Sequence, residues 1–173
     1  DLAQSFRQSG SNISGAGIFL HPRVGTSGSV SISLWTNFPD KTNARQLATG
    51  LIAAVAGQWA DIFWTPVEID PAKTYYLQFA GSPTLGIAGN SQAGFGYAYG
   101  LAFANSGYLP YVNYDYAFRT YRFIPDPPPV ATPQGGSEPP VALVTPPSGG
   151  QGSLALDNFS ISAAPDAATW LTM

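Results

Sequence analysis

Several kinds of residue are missing or scarce in this chain of 173 residues. It has no cysteine, so zinc–thiolate sites, thiol nucleophiles and thiol redox chemistry are excluded. Charged residues make up only 10% of it, against roughly 25% in an average soluble domain. The basic residues are scattered singly and the net charge is -3, so we expect no nucleic-acid partner.

Signals for catalysis are equally scarce. The only histidine, His21 in "LHPR", lies at the end of a predicted strand, where a satisfied surface or turn histidine is the simpler interpretation. Glu68 and Asp70 flank one apolar residue in "VEID" and can face the same side as a carboxylate pair. Asp70 already belongs to a predicted Asp-Pro-Ala turn, however. We therefore expect no enzymatic activity, and a glycoside-modifying enzyme is only a third hypothesis.

No cofactor is expected, with one alternative. Sandwich domains of jelly-roll type often bind a structural calcium ion through loop carboxylates and carbonyls. The chain has no acidic loop of the D-x-D-x-D kind. The candidate ligands are instead scattered: Asp1, Asp61, Asp115, Asp157 and Asn158.

The residues that are present predict strands. Nineteen glycines, sixteen prolines and many β-branched and aromatic residues are typical of short strands joined by turns. In "SVSISLWT", Val30, Ile32 and Leu34 alternate with serines and Trp35, which is the pattern of a half-buried antiparallel strand. Two more segments have inward positions of this kind: Ala16, Ile18 and Leu20, and Tyr75, Leu77 and Phe79. Eight or nine such strands predict an all-β protein, an antiparallel β-sandwich that is jelly-roll-like.

Composition divides the chain into three parts. A β-sandwich domain spans 1–124, a linker rich in proline and glycine spans 125–152, and a C-terminal part with one strand spans 153–173. Prolines lack a backbone N–H and cannot join the interior of a sheet, so the linker is predicted to be an extended arm.

The strand after the arm, "SLALDNFSIS", has an irregular pattern. Leu154 and Leu156 have one parity, while Phe159 and Ile161 have the other. A bulge at Asp157–Asn158 is needed to keep all four on one face, which we predict to be the inward face.

Aromatic residues form the most informative group. Exposed rings stack on sugars or form protein interfaces, because a ring gives a large contact area with few torsions to freeze. The candidates for a sugar or interface site are Trp35, Tyr97, Tyr99, Tyr108, Tyr111 and Tyr114. In "QWADIFWT", Trp59 and Phe63 share one face and Ile62 and Trp64 the other, so one of these tryptophans is predicted to lie outside the core.

The end of the chain resembles a known sorting signal. Its residues Pro165, Asp166, Ala167, Ala168, Thr169 and Trp170 resemble the "PEPATW" core of bacterial PEP-CTERM signals, with Asp166 in place of glutamate and Ala167 in place of the second proline. In that family an "LDN" strand like the one at Leu156 commonly precedes the motif, and a transmembrane helix with a basic cluster follows it. The chain from "AQSF" to "YAFRTY" also looks like the β-sandwich domains attached to such signals.

This resemblance implies an exported protein of a Gram-negative bacterium, processed by an exosortase and located outside the cell or at its surface. It also implies a link to surface polysaccharide or biofilm matrix, but no particular reaction. Contact with a membrane is expected only through a C-terminal helix that this chain lacks, and the chain is expected to be cut where that helix would start.

Two functions from different classes fit these observations. The first is a structural or adhesive surface protein whose partner is itself, because an arm that carries a strand to the open sheet edge of a neighbour links subunits into a filament. The alternative is a carbohydrate-binding module that tethers exopolysaccharide through its aromatic loops, with the last strand folded onto its own sheet. The sequence leaves open which chain that strand completes.

Overall fold

The computed structural model describes residues 1–91, 97–125, 152–159 and 170–172, and in the last two ranges it describes only the backbone. These ranges form thirteen strands and contain no helix, and hence none that could cross a membrane. The strands are β1 (Leu2–Phe6), β2 (Asn12–Phe19), β3 (Ser27–Trp35), β4 (Gln46–Val55), β5 (Trp59–Glu68), β6 (Tyr75–Gly81), β7 (Gly86–Asn90), β8 (Ala102–Ala104), β9 (Leu109–Pro110), β10 (Asp115–Tyr116), β11 (Phe118–Pro125), β12 (Gly152–Phe159) and β13 (Trp170–Thr172).

Antiparallel pairing arranges the strands in two large sheets and a small one. The larger has six strands in the order β4-β3-β6-β1-β8-β9, and the second has four in the order β12-β11-β2-β5. Strands β10, β7 and β13 form the third, and a bridge between Leu20 and Ile87 links β7 to the chain after β2. The chain passes repeatedly from one large sheet to the other. The predicted all-β antiparallel sandwich is confirmed.

The two large sheets face each other through their apolar positions. On β3, Val30, Ile32 and Leu34 are completely buried, while Trp35 on the opposite face is partly exposed. The inward residues predicted for the other two strands are buried as well: Ala16, Ile18, Leu20, Tyr75, Leu77 and Phe79. Burial of a large apolar side chain contributes about 1.5–3 kcal/mol to the stability of the folded state. Apolar residues at every second position therefore mark the face of a strand that packs in the core.

The turn between β4 and β5 carries the chain from the six-stranded to the four-stranded sheet. Gly57 in this turn has a φ of +79°, a conformation that favours glycine. On β5, Ile62 is buried, and Trp64 packs against the core with its Nε1 donating to the Ile13 carbonyl at 3.2 Å. Trp59 lies on the outer face, where its ring is 5.6 Å from that of Phe19. The prediction that one tryptophan of this strand lies outside the core is confirmed.

A network of buried polar groups joins β1 to β10. Gln4 on β1 donates through Nε2 to Asp115 Oδ1 at 3.1 Å, and its Oε1 accepts from the Tyr116 backbone at 3.2 Å. The other oxygen of Asp115 accepts from the Tyr97 backbone at 2.7 Å. Burial raises the pKa of Asp115, although the hydrogen bonds from Tyr97 and Gln4 act in the opposite direction. This network connects β1 to β10 and holds the backbone of Tyr97 in place.

Candidate functional site

The last two strands join sheets of their own chain in this structure. β12 pairs antiparallel with β11, from Arg119 opposite Phe159 to Pro125 opposite Gly152. β13 pairs antiparallel with β7. The described parts of the predicted C-terminal region 153–173 therefore extend two of the sheets, and the predicted linker of residues 125–152 begins and ends at one pair of partners.

The predicted bulge in β12 is confirmed. Leu156 lies opposite Tyr121 and Asn158 lies opposite Thr120, so Asp157 is the extra residue between them. An extra residue reverses the parity of every position that follows it. The apolar positions on both sides of Asp157 therefore share one face of the strand, as the sequence pattern required.

That face is the outer one, and this corrects the sequence prediction. The prediction placed four positions inward, Leu154, Leu156, Phe159 and Ile161, the last of which lies outside the described residues. The first three are register partners of Phe123, Tyr121 and Arg119 on β11. Partners in an antiparallel pair share a face, whereas the inner face of β11 carries the buried Phe118 and Thr120. Both faces of β11 carry aromatic residues, so residue parity alone does not show which face of the strand packs against the core.

Beside β12, the outer face of the four-stranded sheet carries a group of side chains that sequence patterns did not predict. This outer cluster consists of Trp59, Asp61, Phe63, Arg119 and Tyr121. The Arg119 guanidinium donates to both Asp61 oxygens, with Nε 2.7 Å from Oδ1, and Tyr121 donates its hydroxyl proton to Oδ1 at 2.9 Å. The guanidinium carbon lies 4.1 Å from the Trp59 ring centroid, and the rings of Phe63 and Tyr121 are 4.9 Å apart.

Two glycines of β2 make the outer cluster sterically possible. β2 lies between β5 and β11, so outward side chains on β2 would stand between the outward side chains of those two strands. A Cβ at Gly15 would overlap the Phe63 ring, and a Cβ at Gly17 would overlap Asp61 and crowd Arg119. Glycine weakens a strand interior and often marks a close approach of other groups. The Gly-x-Gly spacing on β2 is therefore the sequence signal for this cluster.

The outer cluster fastens β11 to β5 electrostatically. The side chains of Arg119 and Asp61 are only 20% and 22% exposed. Burial lowers the pKa of Arg119, but the hydrogen bonds and charge of Asp61 outweigh it and leave the pKa raised. Burial, followed by the hydrogen bond to Asp61, raises the pKa of Tyr121 to about 12. Asp61 therefore binds a cation and a neutral phenol together at neutral pH.

Asn12 holds the other end of β11. Its Nδ2 donates to the Phe123 carbonyl at 3.0 Å, and its Oδ1 accepts from the Phe123 backbone N–H at 2.8 Å. The ladder between β2 and β11 ends at Gly15 opposite Tyr121, so the side chain of Asn12 substitutes for two missing backbone bonds. Backbone groups of neighbouring strand residues point to alternate sides. Since those of Phe123 point to β2, those of Arg122 and Ile124 are directed to β12.

Two of the predicted sugar-site aromatics meet on the outer face of the six-stranded sheet. Gln78 on β6 accepts from Trp35 Nε1 at 3.1 Å and donates to the Tyr108 hydroxyl at 2.9 Å. Tyr108 has a φ of +53°, which is rare for an aromatic residue, and its ring stacks on Phe38 with centroids 5.0 Å apart. Because Tyr108 is buried, it presents no ring face to a sugar.

The other four predicted aromatics are divided between the core and the surface. Tyr114 is buried, and burial raises its pKa. Tyr97 packs against the core, and its hydroxyl donates to the Arg7 carbonyl at 2.9 Å. Tyr99 and Tyr111 are the exposed members, at 64% and 41%. The six candidates therefore do not form one surface.

Tyr99 borders a shallow cleft with a volume of about 410 Å³. The cleft is lined by Ser5, Arg7, Thr74, Ala98, Tyr99, Gly100 and Leu101. A Cβ at Gly100 would overlap the Ser5 backbone, so this wall of the cleft requires glycine. The Ser5 hydroxyl is buried and bonds the Leu101 backbone, which leaves one cation, the Thr74 hydroxyl and one exposed ring as suitable contacts for a small saccharide.

The residues weighed as catalytic candidates lie at strand ends and in turns. His21 is buried, its Nδ1 accepts from the Arg23 backbone at 3.2 Å, and burial followed by the charge of Arg23 lowers its pKa. Asp70 accepts from the Ala72 backbone at 2.9 Å, as expected of a turn residue. Glu68 ends β5 opposite Asn12.

The candidate calcium ligands are also separated. Asp61 binds Arg119, Asp115 belongs to the Gln4 network, and Asp1 accepts from the Gly107 backbone at 3.1 Å. In the backbone, Asp157 is the bulge residue of β12. Among the residues that the structure describes, no three carboxylate or histidine side chains gather as a metal site.

Comparison of the chain with protein-family models, with curated proteins and with solved structures gives no match.

Proposed function

We propose that this protein is an exported structural protein of a bacterial surface or matrix, and that it forms filaments by exchanging its C-terminal strand between subunits. One observation carries the proposal. Pro125 and Gly152 are register partners, so the connection of residues 126–151 starts and ends at a single strand pair. Hairpin loops usually have about two to five residues. The connection is far longer than this pairing needs.

The length of the connection gives it reach. At about 3.1 Å per residue, an extended proline-rich segment of this length spans up to roughly 80 Å, while a domain of this size has a radius of gyration of about 15 Å. β12 can therefore reach β11 of a neighbouring subunit. Each subunit then donates one strand and accepts another, a head-to-tail arrangement that continues into a filament when it does not close into a ring.

Exchange costs little free energy because every contact between β11 and β12 is formed again between chains. A long loop also reduces the advantage of pairing within one chain. By chain length alone, closing this connection is about 1.5–2 kcal/mol less favourable than closing a four-residue loop. The balance between closed monomers and exchanged filaments then depends on protein concentration.

The acceptor strand is held by contacts that do not involve β12. Asp61 on β5 holds Arg119 and Tyr121, and Asn12 on β2 holds Phe123. A β11 strand fixed at both ends keeps its register when β12 leaves, which favours rebinding of the same strand from another subunit. The resemblance of the C-terminus to PEP-CTERM signals supports export and a surface location.

A pair of cysteines tests strand exchange. Ile124 and Ser153 are register partners, and facing positions of an antiparallel pair have Cα atoms about 4.5–5.5 Å apart, within the range that a disulfide spans. The chain has no other cysteine. Oxidised Ile124→Cys/Ser153→Cys protein should form a ladder of covalent multimers on non-reducing denaturing gels, and Ile124→Cys alone should give dimers at most. If only internally bonded monomers form at every concentration, strand exchange is ruled out.

The second candidate function is carbohydrate binding at the cleft beside Tyr99. It is favoured by the exposed Tyr99 ring next to Arg7 and Thr74. Tyr99→Ala should weaken retention on neutral or acidic exopolysaccharide by about fivefold or more, the scale of one lost ring contact. Val112→Ala is the matched control because Val112 is exposed and does not line the cleft. No retention of the parent protein on any such matrix would eliminate this function.

A further inference from the structure

The edges of the sheets differ in how they are protected against pairing with other chains. Natural edge strands are usually short or contain proline, charges or bulges. β9 has two residues, one of them Pro110. β5 contains Pro66 between Asp61 and Glu68, and β12 has a bulge at Asp157. These edges follow the general rule.

β4 is the exception. It forms an edge of the six-stranded sheet, and no strand in the described ranges pairs with its outer side. Its ten residues, QLATGLIAAV, include neither proline nor a charged residue. One bulge at Leu47 leaves 48–55 in regular register with β3. β4 therefore offers a row of backbone donors and acceptors without the usual protection.

The face of β4 that points away from the core is mainly apolar. Leu51 is 71% exposed, and Ala53 and Val55 are exposed on the same face. Their partners on β3 are serines, so no large side chain shields them. An incoming strand would gain backbone hydrogen bonds and cover these aliphatic side chains at once.

We propose that the partner of this edge is β4 of a second copy, paired antiparallel across a twofold axis. Arg45 directly precedes β4, is exposed and has no acidic neighbour within the strand. A parallel pair would bring the two Arg45 side chains together. Antiparallel pairing separates them by roughly 30 Å, at about 3.3 Å per residue, which exceeds the Debye length of about 8 Å. An uncharged strand with one charge at its end is thus complementary to itself in the antiparallel direction only.

A twofold contact of this kind closes at two copies, unlike head-to-tail exchange. The β4 interface is separate from strand exchange, and it can form whether or not filaments do. If both interfaces form, β4 pairing joins two filaments side by side.

Charge substitutions on β4 test this dimer by sedimentation velocity. The sample is the full chain with Ile124→Cys/Ser153→Cys, oxidised and purified as internally bonded monomers, so that strand exchange cannot contribute. We expect a concentration-dependent dimer that separates into monomers in denaturant. Leu51→Lys should weaken dimerisation by roughly tenfold or more, because it places charges near the twofold contact.

Val112→Lys is the control, since Val112 is 73% exposed and lies far along the chain from β4. It should leave the dimer unchanged. Ala53→Lys, on the same exposed face, should repeat the effect of Leu51→Lys, and far-ultraviolet circular dichroism shows whether each variant is folded. A parent protein that stays monomeric at all concentrations overturns the proposal, as does a dimer that neither folded lysine variant weakens. Multimers that are covalent in the unpurified oxidised sample report strand exchange instead, so the two interfaces can fail independently.

Discussion

The outer faces of the two large sheets are stabilised in different ways. On the six-stranded sheet, Gln78 joins Trp35 and Tyr108 through neutral hydrogen bonds. On the four-stranded sheet, a partly buried ion pair of Asp61 and Arg119 joins strands that are not neighbours. The neutral arrangement joins Gln78 to Trp35 on the adjacent strand β3 and to Tyr108 in the turn before β9. The charged one crosses β2, which has glycine at the crossing point.

This difference reflects the position of each face relative to its edge strand. Gln78 lies on β6, which is paired with β3 on one side and with β1 on the other, so its hydrogen bonds are not needed to hold an edge strand. β11 has β12 as its outer neighbour, and β12 is connected to it by a long segment. The ion pair of the outer cluster holds β11 in place whether or not β12 is present. The two faces should therefore respond differently to substitution, salt and pH.

A side chain at Gly17, where the ion pair crosses β2, should have the largest effect on the free energy of unfolding. In Gly17→Val, the new side chain would overlap Asp61 and crowd Arg119, so the ion pair must break or the strands must separate. We expect a loss of about 2–5 kcal/mol in the free energy of unfolding in urea. Ser27→Val, at an exposed position of β3, should change it by no more than about 0.5 kcal/mol. Equal effects of the two substitutions would contradict the steric role of Gly17.

Removing the carboxylate should have the next largest effect. Asp61→Ala leaves the Arg119 guanidinium partly buried without its partner, which should cost about 2–3 kcal/mol by urea denaturation and less at high salt. Asp40→Ala is the matched control because the pair of Asp40 and Lys41 is exposed. Its cost should be below about 1 kcal/mol. The comparison fails if Asp40→Ala destabilises the protein as much as Asp61→Ala does.

Removing the hydrogen bonds of Gln78 should lower the free energy of unfolding somewhat less. Gln78→Leu breaks the bonds to Trp35 and Tyr108 and should lower the free energy of unfolding by about 1–2 kcal/mol, equally at low and high salt. Gln58→Leu, at an exposed turn, should have almost no effect. A strong salt dependence of the Gln78→Leu effect would show that this face is not electrostatically neutral.

The smallest effect concerns alkaline pH. The pKa of Tyr121 is raised to about 12 in the folded protein, against about 10 in an unfolded chain. Its contribution to stability is therefore complete below pH 10 and is lost as the pH rises toward 12. Tyr121→Phe should make the decline of stability between pH 10 and 12 less steep. In an Asp61→Ala background the same substitution should change the slope less, and an equal change would contradict the role of Asp61.

Sequence patterns predicted much of the fold but less of the site. Alternation identified the inward residues of β3 because a half-buried strand must alternate apolar and polar side chains. The parity change in "SLALDNFSIS" predicted the bulge at Asp157, since only an extra residue restores one face. The bond between Asp61 and Arg119 could not be predicted in this way. It depends on the order of β5, β2 and β11 in a sheet, and strand order is not a local property.

The aromatic candidates show the same limit. Tyr99 and Tyr108 both lie in turns, but the two rings have opposite environments. Tyr108 is buried because the turn at φ +53° directs it onto Phe38, whereas Tyr99 lies at the mouth of the cleft. Local composition does not indicate which other parts of the chain pack against a turn, and this decides whether its rings are buried or exposed.

The sequence by itself determined that this protein is an antiparallel β-sandwich, which strand residues share a face, and that the last strand needs a bulge. These features follow from steric alternation along a single strand. Only the tertiary structure decided that Leu156 belongs to the outer face, that β4 is an open edge among the described strands, and that Arg119 reaches Asp61 across Gly17. Each of these depends on which strands become neighbours, and that choice is made by the packing of the whole chain.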